Sequence, residues 1–269
     1  MAMERTSVRI MGILNVTPDS FYDGGRFADR ESAFRRGLEL AAQGADIIDI
    51  GGESTRPGSE PVSEQEEMDR VLPVIEAVKR EIAVPLSIDT TKAGVAEEAL
   101  KAGAEMINDI SGLTFDAEMA AVAARYGASL VLMHMQGRPG TMQDHPRYDD
   151  LVGEIMDFLG AAAQAALDRG VSRDRIILDP GIGFGKTLED NYRIINRIGE
   201  FCTLGYPVLV GLSRKSLIGK LYSENEDRLP ATIALNMTAV RNGADIIRVH
   251  DVREHRLALM SIEKLKQVS

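Results

Sequence analysis

Short apolar runs rich in Val, Ile, Leu and Met recur along the whole chain. They lie at Val8 to Asn15, Asp46 to Gly51, Pro85 to Asp89, Glu105 to Ile110, Ser129 to His134, Arg175 to Asp179, Pro207 to Ser213 and Asp245 to His250. Each is continuously apolar rather than alternating with polar residues, as a strand covered on both faces would be, so the runs predict eight strands of a parallel sheet wrapped by helices. Amphipathic segments lie between them. Ser63 to Ile82 opens with an S-x-x-E capping box, Ser63 and Glu66, and sets Met68, Leu72, Ile75 and Ile82 at helical spacing. Further helices are predicted around Phe34 and Leu38 and over Leu151 to Leu167, Tyr192 to Ile198 and Leu257 to Leu265. Three stretches, AAQGADIIDIGG, LKAGAEMINDISG and VRNGADIIRVHDV, echo one another. Each ends a helix at Gly44, Gly103 or Gly243 and starts a strand just after it, which reads as a repeated αβ turn with a left-handed cap. Eight such units, with no Pro/Ser-rich linker or low-complexity tract between them, favour one α/β domain over residues 1–269. The predicted architecture is a (β/α)8 TIM barrel rather than two doubly wound sheets.

Side chains of a barrel strand alternate between the lumen and the helix layer, so residues two apart share a face. Taking the last inward residue of the strands gives Asn15, Asp89, Asn108, Met133, Asp179 and Arg248 with His250, a largely polar ring at the C-terminal ends of apolar runs. Buried polar groups cost ~1 to 3 kcal/mol each when unpartnered, and barrel active sites lie at this end, so the ring predicts a bound ligand. The segments after the first two strands, Val16 to Ala28 and Gly52 to Val62, are long and rich in Gly, Pro, Thr, Asp and Ser, as lid loops are, whereas the opposite rim has short Gly-Ala turns.

Composition narrows the function class. With 44% hydrophobic and 27% charged residues, the chain is neither disordered nor a disulfide scaffold. Lys and Arg number 31 against 41 Asp and Glu, and the resulting net charge of −10 argues against a nucleic-acid partner. One cysteine, Cys202, and four scattered histidines, His134, His145, His250 and His255, make neither an internal disulfide nor a structural zinc cage. The first apolar stretch is broken by Arg9 and is too short for a signal peptide, and no run reaches the ~18 apolar residues of a membrane span. A cytoplasmic protein is expected. PGIGFGKT, at Pro180 to Thr187, imitates a phosphate-binding P-loop but has Pro180 where that pattern needs Gly. The sequons at Asn15 and Asn236 carry no meaning in a chain that is not secreted. His145 and His255 read as solvated surface.

The strings MGILNVTPDSFYDGG, IDIGGESTRPG, SIDTTK, MINDISG, LMHMQG, LDPGIGFGKT, GLSRKS and RVHDV, in that order from residue 11 to residue 252, closely resemble the dihydropteroate synthase family. The resemblance implies a homodimeric barrel that condenses 6-hydroxymethyl-7,8-dihydropterin pyrophosphate with p-aminobenzoate, releasing pyrophosphate with Mg2+ as cofactor. By this resemblance Asp89, Asn108, Asp179 and Lys215 would hydrogen-bond the pterin, Arg248 would stack on it, and Ile110, Met133, Phe184 and Gly211 would line its slot. Asn15, Arg248 and His250 would handle pyrophosphate, with Asn15 as the metal ligand. Phe21, Thr55, Arg56, Pro57, Lys215 and Ser216 would frame the aminobenzoate once the lids close. Asp89, Lys215, Arg248 and His250 form the implied catalytic set.

The residue types suit this chemistry. A pterin's aminopyrimidine edge offers donors to a carboxylate, a flat guanidinium covers a ring face, and pyrophosphate wants cations. No His, Glu or Lys is placed as a strong base toward the aniline nitrogen, which points to departure of pyrophosphate before attack, with Asp89 stabilising the cation. Departures from the family pattern are Tyr22, Leu217 and Ala231, of which Leu217 touches the aminobenzoate rim through its neighbour Ser216. The alternatives are a methyltetrahydrofolate-dependent corrinoid methyltransferase, which would not need SRKS, RVHD or NVTPDSF, and a noncatalytic pterin-binding barrel, which would not need Asn15, Lys215 and His250.

Overall fold

Eight parallel strands alternate with helices along the chain, as the apolar runs predict. The computed structural model describes residues 7–17, 25–54, 60–213, 215 and 228–267. The strands are β1 Arg9–Asn15, β2 Ile47–Gly51, β3 Leu86–Asp89, β4 Met106–Asp109, β5 Ser129–Met133, β6 Ile176–Asp179, β7 Leu209–Gly211 and β8 Ile246–Val249. The helices that follow them are, among the described residues, α1 Gly25–Ala42, α2 Glu64–Glu81, α3 Ala93–Lys101, α4 Met119–Tyr126, α5 Leu151–Asp168, α6 Leu188–Asn196, α7 Leu229–Asn242 and α8 Val252–Gln267, with short helical turns at Arg173–Arg175, Ile198–Phe201 and Cys202–Leu204. The sheet order β6-β5-β4-β3-β2-β1-β8-β7 leaves β6 and β7 at its two ends. These ends meet at the Leu178–Val208 bridge, where the Leu178 N–H donates to Pro207 O at 2.9 Å, so the sheet curls into a nearly closed barrel.

Burial explains why the strands read as unbroken apolar runs. The outward residues, such as Ile10, Leu14, Ile48, Ile50 and Ile88, pack into a layer shared with Leu40, Val74 and Val78 of the helices. The inward residues Met11, Ile47, Met106, Val131, Ile177, Leu209 and Ile246 fill the lower lumen as a separate apolar cluster. Both faces are therefore covered, and apolar area removed from water at ~25 cal/mol per Å2 stabilises the barrel from inside and outside.

Local chemistry sets the ends of the elements. Gly44, Gly103 and Gly243 adopt φ of +94°, +116° and +121°, which turns each preceding helix into the next strand as the sequence echo predicts. Ser63 Oγ caps α2 by accepting from the Glu66 N–H at 3.2 Å, but the Glu66 carboxylate accepts from Arg70 one turn on. The reciprocal box stands instead at α6, where Thr187 Oγ1 accepts from Asp190 N–H and Asp190 Oδ2 accepts from Thr187 N–H, both at 3.1 Å. Pro73 lies within α2 and brings no N–H to the Asp69 carbonyl, which accepts from Arg30 Nη2 at 2.9 Å. The long segment expected over Val16 to Ala28 ends earlier, because α1 begins at Gly25. His255 is not solvated: it is fully buried and shares a hydrogen bond of 2.9 Å with Asn236 Nδ2. Its polar neighbours in sequence misled because α8 turns this one position onto α7. His145 is exposed, as expected. No helix among the described residues is long and apolar enough to cross a membrane.

Candidate active site

The strand register carries the polar ring around the lumen. Asn15 pairs with Gly51, Gly51 with Asp89, and Asp89 with Asn108; Met133 pairs with Asp179, and Gly211 with Arg248. These residues form one tier, two residues beyond the apolar cluster on most strands. Asn15 is half-buried, and its carboxamide makes no hydrogen bond to a described residue. Ile110, just past β4, is buried, as is Met133.

Arg248 is the hub of one side. Its Nε donates to Asp49 Oδ2 and its Nη2 to Asp89 Oδ2, each at 2.6 Å, and Asn108 Nδ2 donates to the same Asp49 oxygen at 3.0 Å. Sequence reasoning missed Asp49, which is completely buried and leaves Oδ1 without a hydrogen bond. The signal was available, since Asp49 has the inward parity of Ile47 and Gly51 within IDIGG. Burial pushes the Asp89 carboxyl up to about 7, against the pull of Arg248 and with Asp49 adding like charge. One guanidinium between two carboxylates thus leaves this side of the site short of positive charge.

The opposite side is built by β6 and its glycine-rich turn. Asp179 Oδ1 accepts from the Gly181 N–H at 2.7 Å, and burial raises its pKa although Lys215 works against the rise. Lys215 Nζ lies 4.4 Å from the centre of the Phe184 ring and donates to the Ile182 carbonyl. Burial holds this ammonium down to about 8, with Asp179 opposing and Arg248 adding to the shift. The turn is no nucleotide cradle. The Gly181 and Gly183 N–H groups are taken by Asp179 and Asn191, that of Phe184 by the Gly181 carbonyl, and Lys186 is buried.

His250 sits beyond β8, where Nδ1 shares a 2.9 Å hydrogen bond with Ser213 Oγ and its backbone N–H donates to the same oxygen at 3.2 Å. Its carbonyl accepts from Arg36 Nη2 at 2.8 Å, tying α1 to the rim. Phe21, Thr55, Arg56, Pro57 and Ser216 lie outside the described residues, so of the residues expected to frame the aminobenzoate only Lys215 is described. Among the described residues no cluster of three or more His, Cys, Asp or Glu could hold a metal ion. A divalent cation that keeps most of its waters needs only one or two protein ligands, so this donor set does not oppose one.

The geometry can therefore bind a flat, donor-rich heterocycle between Asp179 and Asn108 and an anion near Asn15, Arg248 and His250. A family model described as pterin binding enzyme matches residues 11–250. A dihydropteroate synthase of Synechocystis is 51% identical over 245 residues, 90% of this chain and 85% of that protein. The crystal structure of a Clostridium difficile dihydropteroate synthase in the presence of pteroic acid is 47% identical, with a TM-score of 0.92 over 98% of this chain and 99% of that one. A Yersinia pestis dihydropteroate synthase in a sulfonamide drug complex is 43% identical, with a TM-score of 0.91 over 99% of this chain and 97% of that one.

Proposed function

Because this chain belongs to the dihydropteroate synthase family of pterin-binding enzymes, we propose that the polar tier of its lumen is the seat of the pterin substrate. The chain is a transferase that condenses 6-hydroxymethyl-7,8-dihydropterin pyrophosphate with p-aminobenzoate to 7,8-dihydropteroate and pyrophosphate. The observation that carries the seating is the buried Asp179 facing Lys215 at the C-terminal end of β6. Asp179 accepts from the amino and ring N–H donors of the pterin, and Asn108 and Lys215 serve its remaining polar edge. Met133, Ile110, Phe184 and Gly211 wall the slot, while the Arg248 guanidinium covers the ring face. Thr55, Arg56, Pro57, Phe21 and Ser216 complete the aminobenzoate pocket with Lys215.

Asn15, Arg248 and His250 hold the pyrophosphate. Asn15 would also hold Mg2+, which when bound would supply positive charge to the pyrophosphate oxygens. The exocyclic C–O bond breaks with its electron pair going to pyrophosphate, leaving a methylene cation delocalised into the electron-rich ring. Arg248 is shared between Asp49 and Asp89 before substrate arrives. Arg248 favours the ionised form of Asp89, and that carboxylate faces the developing cation, a preorganised charge worth ~3 kcal/mol of barrier by analogy with a single oxyanion-hole donor. The aniline nitrogen then attacks the methylene carbon, and the acidic arylammonium releases its proton to water.

An isotope label in the bridging oxygen of the pterin pyrophosphate tests this order. The account expects scrambling into nonbridging positions without net product, slowed in Asp89→Asn and lost with EDTA. No scrambling, together with a rate that rises steeply with nucleophile basicity, would favour concerted displacement. The working unit is proposed to be a homodimer. Leu257, Met260 and Leu265 stand 57%, 58% and 64% exposed on one side of α8, a face suited to a second copy. Sedimentation velocity on Leu257→Glu should then show a monomer.

A further inference from the structure

The turn after β6 contains a lysine that the reaction does not use. Lys186 is 2% exposed, and its Nζ reaches three acceptors: Phe184 O at 2.9 Å, His134 Nδ1 at 3.0 Å and His134 O at 3.4 Å. An ammonium has three protons, so each finds a partner, provided His134 is neutral with its own proton on Nε2. The backbone around this contact is packed without slack. A Cβ at Gly181 would come 1.9 Å from His134 O, and one at Gly185 would come 2.5 Å from Gln136 O, both at positive φ. Tyr148 Oη adds a bond to Gly185 O at 2.7 Å, and Gln143 Nε2 one to Gly183 O at 2.6 Å. The β6 turn is thus stitched to the segment leaving β5, and Lys186 lies at the centre of the stitch.

The same turn presents the two groups on which Lys215 rests, the Ile182 carbonyl and the Phe184 ring. We propose that Lys186 and His134 are positioning residues, a charged clamp that fixes the Phe184 and Lys215 side of the pterin slot. The inference rests on the reading that Asp179 and Lys215 bind the pterin. The clamp acts through geometry, by holding the Phe184 carbonyl, and through charge, since Lys186 also favours the ionised form of Asp179. The groups facing Lys186 are His134 just past β5, Asp179 from β6, Asp190 from α6 and Lys215 beyond β7. Burial holds Lys186 down to about 7, with Asp179 opposing, and burial holds His134 down to about 3. The clamp therefore titrates in the working range, and raising the pH should open it while His134 stays neutral.

Calorimetry of the pterin pyrophosphate between pH 6 and 9 tests this on the parent, His134→Leu, His134→Asn, Lys186→Met and Asp179→Ala, each with its melting temperature. His134→Leu leaves one ammonium proton without an acceptor. It should weaken pterin binding about tenfold and move the alkaline limb of affinity to lower pH. His134→Asn places an amide oxygen near the Nδ1 position and should restore both to within about threefold. Lys186→Met should remove the clamp's share of that limb, and if it fails to fold the His134 pair decides, since both members keep Lys186. Parental affinity with an unshifted limb in His134→Leu overturns the proposal. So does equal loss in His134→Leu and His134→Asn that merely tracks their melting temperatures. Parental binding by Asp179→Ala would instead sink the underlying reading of the slot; the clamp alone fails when Asp179→Ala loses the pterin and His134→Leu keeps it.

Discussion

The lower and upper tiers of the barrel lumen come from the same strands, only two residues apart, and have opposite chemistry. Along β8 the inward residue changes from Ile246 to Arg248, along β6 from Ile177 to Asp179, and along β7 from Leu209 to Gly211. The lower tier is an apolar cluster of seven buried side chains, with Ser87 of β3 as the polar residue at its level. The upper tier holds buried carboxylates, one guanidinium and a carboxamide, with Asp49 Oδ1 left unbonded. Apolar burial stabilises the first, whereas desolvation taxes the second and raises both Asp89 and Asp179. The contrast teaches that apolar packing and buried charge are segregated by height within the lumen.

Removing the cation should break the upper tier most severely. Arg248→Met leaves Asp49 and Asp89 buried without their partner, which should cost ~3 to 5 kcal/mol of stability at pH 7.5. Urea denaturation at pH 5 should show part of the loss recovered, because protonation then neutralises a carboxylate. An equal deficit at both pH values would mean that the ion pairs are not its cause. Leu209→Ala probes the lower tier and should cost ~2 to 5 kcal/mol through its cavity. Pterin affinity of the folded fraction should stay within about threefold of the parent, and a larger loss would show that the tiers are not separable.

A smaller effect sharpens the comparison through pH. Asp89 titrates at about 7 in the folded chain against 3.8 ordinarily, so the folded state keeps a proton that the unfolded state has already released. Its contribution is fully present below about pH 4 and is lost as pH rises to about 7. Asp89→Asn removes this group from the balance. Between pH 5 and 7.5 the parent should lose more stability than the variant, by on the order of 1 to 3 kcal/mol; identical slopes in denaturation curves would place the tension elsewhere.

Strand positions and inward parity were legible in the sequence because a barrel strand covered on both faces has one simple pattern, and Asn15, Asp89, Asn108, Asp179 and Arg248 followed from that parity. Asp49 escaped because taking only the last inward residue of each strand skips the one beneath it. His255 escaped because its burial depends on how α8 meets α7, which no local pattern records. The Lys186 and His134 contact joins residues 52 positions apart, and GFGKT advertised a phosphate loop that the backbone does not form. Arg248 was expected over the pterin face; its engagement with two carboxylates is a tertiary fact that residue type alone does not carry.

The central claim, that the polar tier exists to bind the pterin rather than to hold the barrel together, is tested most directly on Asp179→Ala by titrating pterin pyrophosphate in a calorimeter and unfolding the same sample without ligand. The account predicts at least tenfold weaker binding, from charge-assisted hydrogen bonds worth ~1.5 to 3 kcal/mol, and unfolding stability equal to or above the parent's at neutral pH. Parental affinity in the folded variant, or a stability loss as large as that of Leu209→Ala with binding intact, would contradict it.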